Sequence, residues 1–481
     1  MTRKSSFDQK NERLKYTNER FQYTYDKFTG ATDKFTRQSY TVSGGVDGIR
    51  DSMPHAGTAK PRQRKFYGWW IAVASFFTFG ISVGLPYYNI PFFYDYFQNA
   101  FGWERSSITL GFPLAAVLTL WVGPLIIPRF PPRRLILVGT AFTALAFLGF
   151  SRMNGDLRIY YACWVLYAMG YFLSGPIPHQ ILVSHWFRKQ RGMAMGIVYV
   201  GVGLVAAAGS RLVAPVTERF GFRVTLMWIG AAMVLAWPLA LFVMRDKPSD
   251  MGQAADGAII ADAEVSRQPL PYAHLLRSVP FWLLLIGSLC SIGSIGAINA
   301  HMKFVFHDAG FTEQKQLNAT WSLASIIISI VSIAGRLSIG HLSDLFSKKR
   351  VMTVTYFVVA GSIPLLLTVR PPSEPYVFSI VFGFAMGADY MLIPLMAAEQ
   401  FGVNSLSRAM AIILPVNTIG QTWCPQLVSV LRAHSGSYLW PMAFVFAVAM
   451  LGALSIAALP SNRSLGSRDS VPMTPASASG A

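Results

Sequence analysis

Charge is what this 481-residue chain has least of. Charged side chains make up 13% of it, about half the share found in soluble domains. Acids are the scarcer sign, 23 Asp and Glu against 41 Lys and Arg, for a formal net charge of +18. Cysteine is nearly missing. Cys163, Cys290 and Cys424 each lie within an apolar stretch, which argues against a disulfide framework and fits no metal-ligand spacing. There is no Walker-type phosphate loop and no nucleophile motif in a context that would use one. These absences argue against an ATP-driven pump and against an enzyme, and no cofactor is expected. No secretory signal is expected either, because the first 65 residues are polar and the first apolar block is too long and lacks a cleavage site.

What the chain does have is apolar length. Hydrophobic residues make up 53% of it, gathered in blocks that often exceed the ~18–20 residues needed to cross a bilayer. The expectation is an all-α polytopic membrane protein with twelve transmembrane helices in two six-helix bundles. The spans are placed at 68–97, 106–127, 135–151, 160–185, 192–216, 225–243, 281–306, 320–341, 351–369, 376–398, 407–431 and 438–459. In such a protein the basic excess reads as Lys and Arg retained on the cytoplasmic face, so no nucleic-acid partner is expected. Arg129, Arg133 and Arg134, then Arg188, Lys189 and Arg191, then Lys348, Lys349 and Arg350 crowd the loops after spans two, four and eight. This asymmetry puts both termini in the cytoplasm of a plasma or inner membrane.

The rest of the organisation follows from the gaps between blocks. Residues 1–65 form a polar, basic tail in which Phe7, Leu14, Phe21, Phe28 and Phe35 recur every seven residues. One apolar position per heptad is too few for a coiled coil, so a disordered cytoplasmic tail is expected. Residues 66–244 are the N-terminal bundle, 245–280 a cytoplasmic linker, 281–460 the C-terminal bundle and 461–481 a second tail. The halves repeat each other at one offset. Gly123 and Gly340, Gly170 and Gly387, and Arg191 and Arg408 are each 217 positions apart, which points to a duplicated six-span unit.

The residues over about 64–459 resemble the Major Facilitator Superfamily. Its loop motif, Gly-x-Leu-Ala-Asp-Arg-x-Gly-Arg-Arg, is matched by Gly340-His-Leu342-Ser-Asp344 followed by Lys348, Lys349 and Arg350. The first copy, from Gly123 to Arg134, has no acid. Within the superfamily, three stretches are similar to the monocarboxylate-transporter and oxalate–formate-antiporter branch: Tyr67-Gly-Trp-Trp-Ile71, Trp186 through Gly196, and Gly335-Arg336-Leu-Ser-Ile-Gly340. The resemblance implies two bundles around a central cavity, alternating access, and Arg336 pairing with a substrate carboxylate. The chain departs from the branch at Tyr87, where a lysine follows the span-one proline, and at Ser332, where an aspartate precedes the span-eight arginine.

Several residues carry the expected chemistry. Arg336 costs roughly 2.5–3.5 kcal/mol to place in a hydrocarbon span, and its planar fork suits a carboxylate. Snorkelling to the interface and a structural ion pair are the other readings. Asp389, deep in span ten, is a proton-coupling acid, a partner for Arg336 or a permanent structural ion pair. Arg211 is a second anion contact, or else it snorkels outward or pairs with Glu218. Tyr87, Tyr88 and Asn89 lie between two prolines that free backbone groups, and with Asn417 they are candidates to line the pocket. His301 is a candidate proton carrier, or else a hydrogen-bonded residue at the interface. Gly340, Asp344, Lys348, Lys349 and Arg350 form a candidate gating loop. The sequence thus predicts a secondary transporter of a small organic anion, with the bilayer, that anion and protons as partners. A carrier of a neutral or drug-like solute is the alternative, and a membrane-embedded enzyme or sensor the more distant one.

Overall fold

The computed structural model describes residues 66–256, 268–371 and 375–460. The expected tails at 1–65 and 461–481, and the middle of the linker, lie outside the described residues. Every regular element among the described residues is helical.

The chain opens with α1, Gly68–Phe101, and a bent pair, α2 (Arg105–Leu118) and α3 (Val122–Arg129), whose axes differ by 41°. Next come α4 (Pro132–Ser151), α5 (Leu157–Ser174), α6 (Pro176–Trp186), α7 (Arg191–Phe220) and α8 (Phe222–Val243). A short helix in the linker, α9 (Tyr272–Arg277), leads to α10 (Val279–Asp308), α11 (Gln314–Leu345) and α12 (Lys348–Thr368). The last three are α13 (Tyr376–Phe401), α14 (Val403–Ser435) and α15 (Leu439–Ala457).

Among the described residues nine helices are long and apolar enough to cross a membrane, ten if the bent pair counts as one. The protein is therefore integral and multi-pass. The two remaining expected spans are helical but less apolar. One, 160–185, is split into α5 and α6 at Gly175. The other, 407–431, lies within α14, where Asn417, Gln421 and two prolines dilute the apolar run. Polar residues at such depth are tolerated where helices shield them or a water-filled cavity receives them.

Packing follows the small residues. α4 lies along α5 and α8, and α10 lies along α14 and α15. α11 lies along α13, with Gly335, Gly383 and Gly387 so close to the facing backbone that a Cβ would collide with it. Helices before and after the linker meet in two places. α7 crosses α11, and α14 packs against α2, α3 and α6. At the first crossing Gly192 and Gly340 face each other with no room for a Cβ, and Gly196 faces the Arg336 carbonyl. At the second, Gly123 abuts the Ala411 carbonyl. Gly123 and Gly340, paired by the 217-residue offset, thus do matching work. Close backbone approach through small residues is how helices associate without a hydrophobic drive between them.

Candidate functional site: an arginine without a carboxylate

Arg336 projects from α11 toward the face of α7 that carries Gly196, Tyr199 and Gly203. A Cβ on Gly203 would lie 3.5 Å from Nη1 of Arg336. Nη1 donates to Ser332 Oγ at 3.2 Å, one turn earlier on α11. Nε is buried without a hydrogen-bond partner. Tyr88 of α1 and Tyr199 of α7 are the hydroxyl groups near the guanidinium. Among the described residues no carboxylate forms an ion pair with Arg336; the two salt bridges are Lys348–Glu399 at 3.5 Å and Arg432–Asp308 at 3.0 Å. A guanidinium carries five donors in a fixed fork, and here the polar groups around it are all neutral.

The wall beside it is aromatic and polar. Tyr88 is 58% exposed, whereas Tyr87 is packed against Tyr88, Phe112 and Tyr171. The Tyr199 hydroxyl accepts from Gln180 Nε2, and both residues are buried. The Tyr390 hydroxyl of α13 donates to Gln421 Oε1 of α14 at 2.6 Å. Tyr199, Gln180 and Tyr390 are uncharged and stand out little in an apolar run, so the sequence did not single them out. The usable signal was periodicity: Tyr199 follows Gly196 by three residues, on one face of a helix.

Other expected site residues lie elsewhere. Asp389 does not reach Arg336. It is fully buried on α13, and its Oδ1 accepts from Ser291 Oγ of α10 at 3.1 Å. Its other oxygen faces the Tyr356 hydroxyl of α12, outside strict hydrogen-bond geometry. One turn along α10, Ser288 donates to Asn417 Oδ1 at 3.1 Å, and Asn417 Nδ2 is buried without a partner. Asn89 is buried too, and its amide donates to the Leu85 carbonyl at 2.8 Å. Arg211 lies exposed on α7 and forms no salt bridge with Glu218. Both nitrogens of His301 are engaged, one with the Tyr438 hydroxyl at 3.0 Å and one with the Pro425 carbonyl at 2.9 Å. Since a carbonyl only accepts, the nitrogen facing Pro425 carries the proton.

The loop residues form a joint. The Asp344 carboxylate, at the end of α11, accepts from the backbone amides of Gly192 at 2.7 Å and Met193 at 2.9 Å. These amides belong to the first turn of α7 and have no partner within it. A carboxylate there also meets the positive end of the helix dipole. Lys348 pairs with Glu399 of α13, while Arg350 is exposed and Lys349 half-buried.

A broken, glycine-packed helical array with a motif of this kind can be compared with known families. The sequence profile described as Major Facilitator Superfamily matches residues 73–425. The chain belongs to that superfamily. Membership makes it a membrane transporter of a small solute and not an enzyme, and no group of His, Cys or acidic residues among the described ones could hold a metal. This facilitator is similar to monocarboxylate transporter 12 of Rattus norvegicus, with 22% identity over 433 residues, covering 81% of this chain and 86% of the relative. Monocarboxylate transporter 13 of Bos taurus is 23% identical over 398 residues, covering 80% and 87%. An uncharacterized transporter of Bacillus subtilis, YcxA, is 25% identical over 335 residues, covering 67% and 78%.

Proposed function

We propose that this facilitator carries a small organic anion, a monocarboxylate, by alternating access, with Arg336 as the anchor for the carboxylate. The supporting observation is the guanidinium that has neutral neighbours and a buried, unpartnered Nε. A carboxylate entering from the exposed side of Tyr88 would satisfy it through two parallel charge-assisted hydrogen bonds. The similarity to monocarboxylate transporters 12 and 13 supports the same substrate class. In this reading α1 to α8 and α10 to α15 form two six-helix bundles with twelve crossings. α5–α6 make the fourth crossing and α14 the eleventh. Both ends of the chain are cytoplasmic, on the side of the basic loops. The joint of Asp344, Gly340 and the α7 N-terminus closes that side, and Lys348, Lys349 and Arg350 flank it.

Protons are the proposed coupling ion, with Asp389 as the acid. Asp389 suits that role by position: it is fully buried, accepts a hydrogen bond from Ser291, and forms no salt bridge among the described residues. When the cavity opens toward α10 it can lose that proton to water. The Asp389–Arg336 pairing that was one reading of the sequence gives way here to coupling between separate sites, carried by rearrangement of the helices.

Uptake into proteoliposomes tests the anchor. Removing a charge-assisted pair costs about 1.5–3 kcal/mol, so Arg336→Ala should lower carboxylate uptake roughly 10- to 100-fold, and Arg336→Lys should restore part of it. Uptake unchanged in Arg336→Ala contradicts the reading. It would favour a neutral solute, with Arg336 held for structure by Ser332.

A further inference from the structure

The two places where helices before and after the linker meet are not built alike. At α7–α11 an acid does the joining, because Asp344 caps amides at the start of α7. At α3–α14 the position equivalent to Asp344 is Ile127, buried and apolar. The receiving end differs as well. α7 begins at Arg191, so the amides of Gly192 and Met193 have no partner within the helix, whereas α14 begins at Val403, five residues before the equivalent Arg408. The amides that would match Gly192 and Met193 are therefore inside a helix and already bonded. An acid at position 127 would find no open amides to cap.

The linker occupies that place instead. The Tyr272 hydroxyl donates to the Pro124 carbonyl of α3 at 2.7 Å. That carbonyl is open because residue 128, which would bond it in an α-helix, is proline and has no N–H. Two residues earlier, the Leu270 amide donates to Ser405 Oγ of α14 at 3.0 Å. Arg408 Nη1 donates to the Pro269 and Leu270 carbonyls at 2.9 and 2.8 Å, and its guanidinium lies over the Tyr272 ring at 5.9 Å. Pro269 and Pro271 stiffen the four residues. A short, rigid piece of linker is thus bonded to α14 through two side chains and to α3 through one.

We propose that residues 269–272 are a strap that holds α3 to α14 when the end bearing the basic loops is closed, in place of the acid this half lacks. The proposal rests on the alternating-access reading above and not on the substrate. For that end to open, Tyr272 must leave Pro124 while Ser405 and Arg408 keep the strap on α14. The strap stabilises the closed state by a few hydrogen bonds, and the linker that joins the halves thereby sets how long they stay closed.

The test measures the opening itself and needs no substrate. Nitroxide labels are placed on Phe130→Cys and Phe346→Cys, both exposed and on opposite halves. The full chain is reconstituted in lipid, with Cys163, Cys290 and Cys424 replaced by alanine. Distances between the labels are read by double electron–electron resonance. Losing one hydrogen bond without other change should raise the ratio of long to short distances about two- to tenfold in Tyr272→Phe, and by a similar factor in Ser405→Ala. If both variants match the parent while Asp344→Asn shifts the distribution, the strap is overturned and alternating access stands.

Discussion

At the scale of the residue, the proposed mechanism rests on two charges that do not touch. Arg336 sits on α11 among Ser332, Tyr88 and Tyr199, and Asp389 sits on α13 behind Ser291 and Tyr356. Both charges stand out in the sequence, because a charge inside an apolar run is costly. Their separation does not, since helix rotation about its axis decides which neighbour a side chain meets and no local signal records it. The neutral partners were also hidden, as tyrosine and glutamine contrast weakly with their surroundings. If Asp389 carries the coupling proton, Asp389→Asn should abolish accumulation driven by a pH gradient and leave downhill exchange within about threefold of the parent, a small change on the energy scale of one lost hydrogen bond. Proton-driven accumulation that survives the substitution would remove Asp389 from coupling. His301 should behave differently. With both nitrogens engaged it joins α10, α14 and the start of α15, so His301→Ala should lower the melting temperature by several degrees without moving the pH profile of uptake.

At the scale of the element, ten of the twelve expected spans emerge as long, apolar helices or as the bent pair. The other two fell short for a physical reason. α5–α6 and α14 carry His179, Gln180, Asn417 and Gln421, and these lower the apolarity on which span recognition depends. The helices least like membrane spans are therefore the ones that bring polar groups toward the interior. The joint between α7 and α11 shows how small residues and one acid cooperate. Gly192 and Gly340 let the backbones meet, and Asp344 bonds the amides that the meeting exposes. A side chain at Gly192 must push the two helices apart. Gly192→Leu is expected to cut the maximal transport rate at least tenfold while leaving the affinity for substrate within about twofold, because the Arg336 guanidinium lies beside Gly203, about three turns further along α7. An equal loss of affinity would place Gly192 at the binding site instead.

At the scale of the whole molecule, three pairs of residues keep one offset in the sequence, and one of them, Gly123 and Gly340, makes matching contacts with facing backbone. The asymmetry between the halves was only half readable. The missing acid at Ile127 is visible in the sequence, but the later start of α7 relative to α14, and the linker residues that take over the joint, depend on where helices begin and where a linker runs. The superfamily assignment covers 73–425 and fixes the class of function. The proposed substrate class rests on Arg336. The most direct measurement of that claim compares binding of a small monocarboxylate with that of its carboxamide, which has nearly the same shape and no charge, to purified protein. The parent should prefer the carboxylate by about 10- to 100-fold, the range of a charge-assisted pair, and Arg336→Ala should bind the two within about threefold of each other, the residue of ordinary polar contacts. A preference for the carboxylate that persists undiminished in Arg336→Ala would contradict the account.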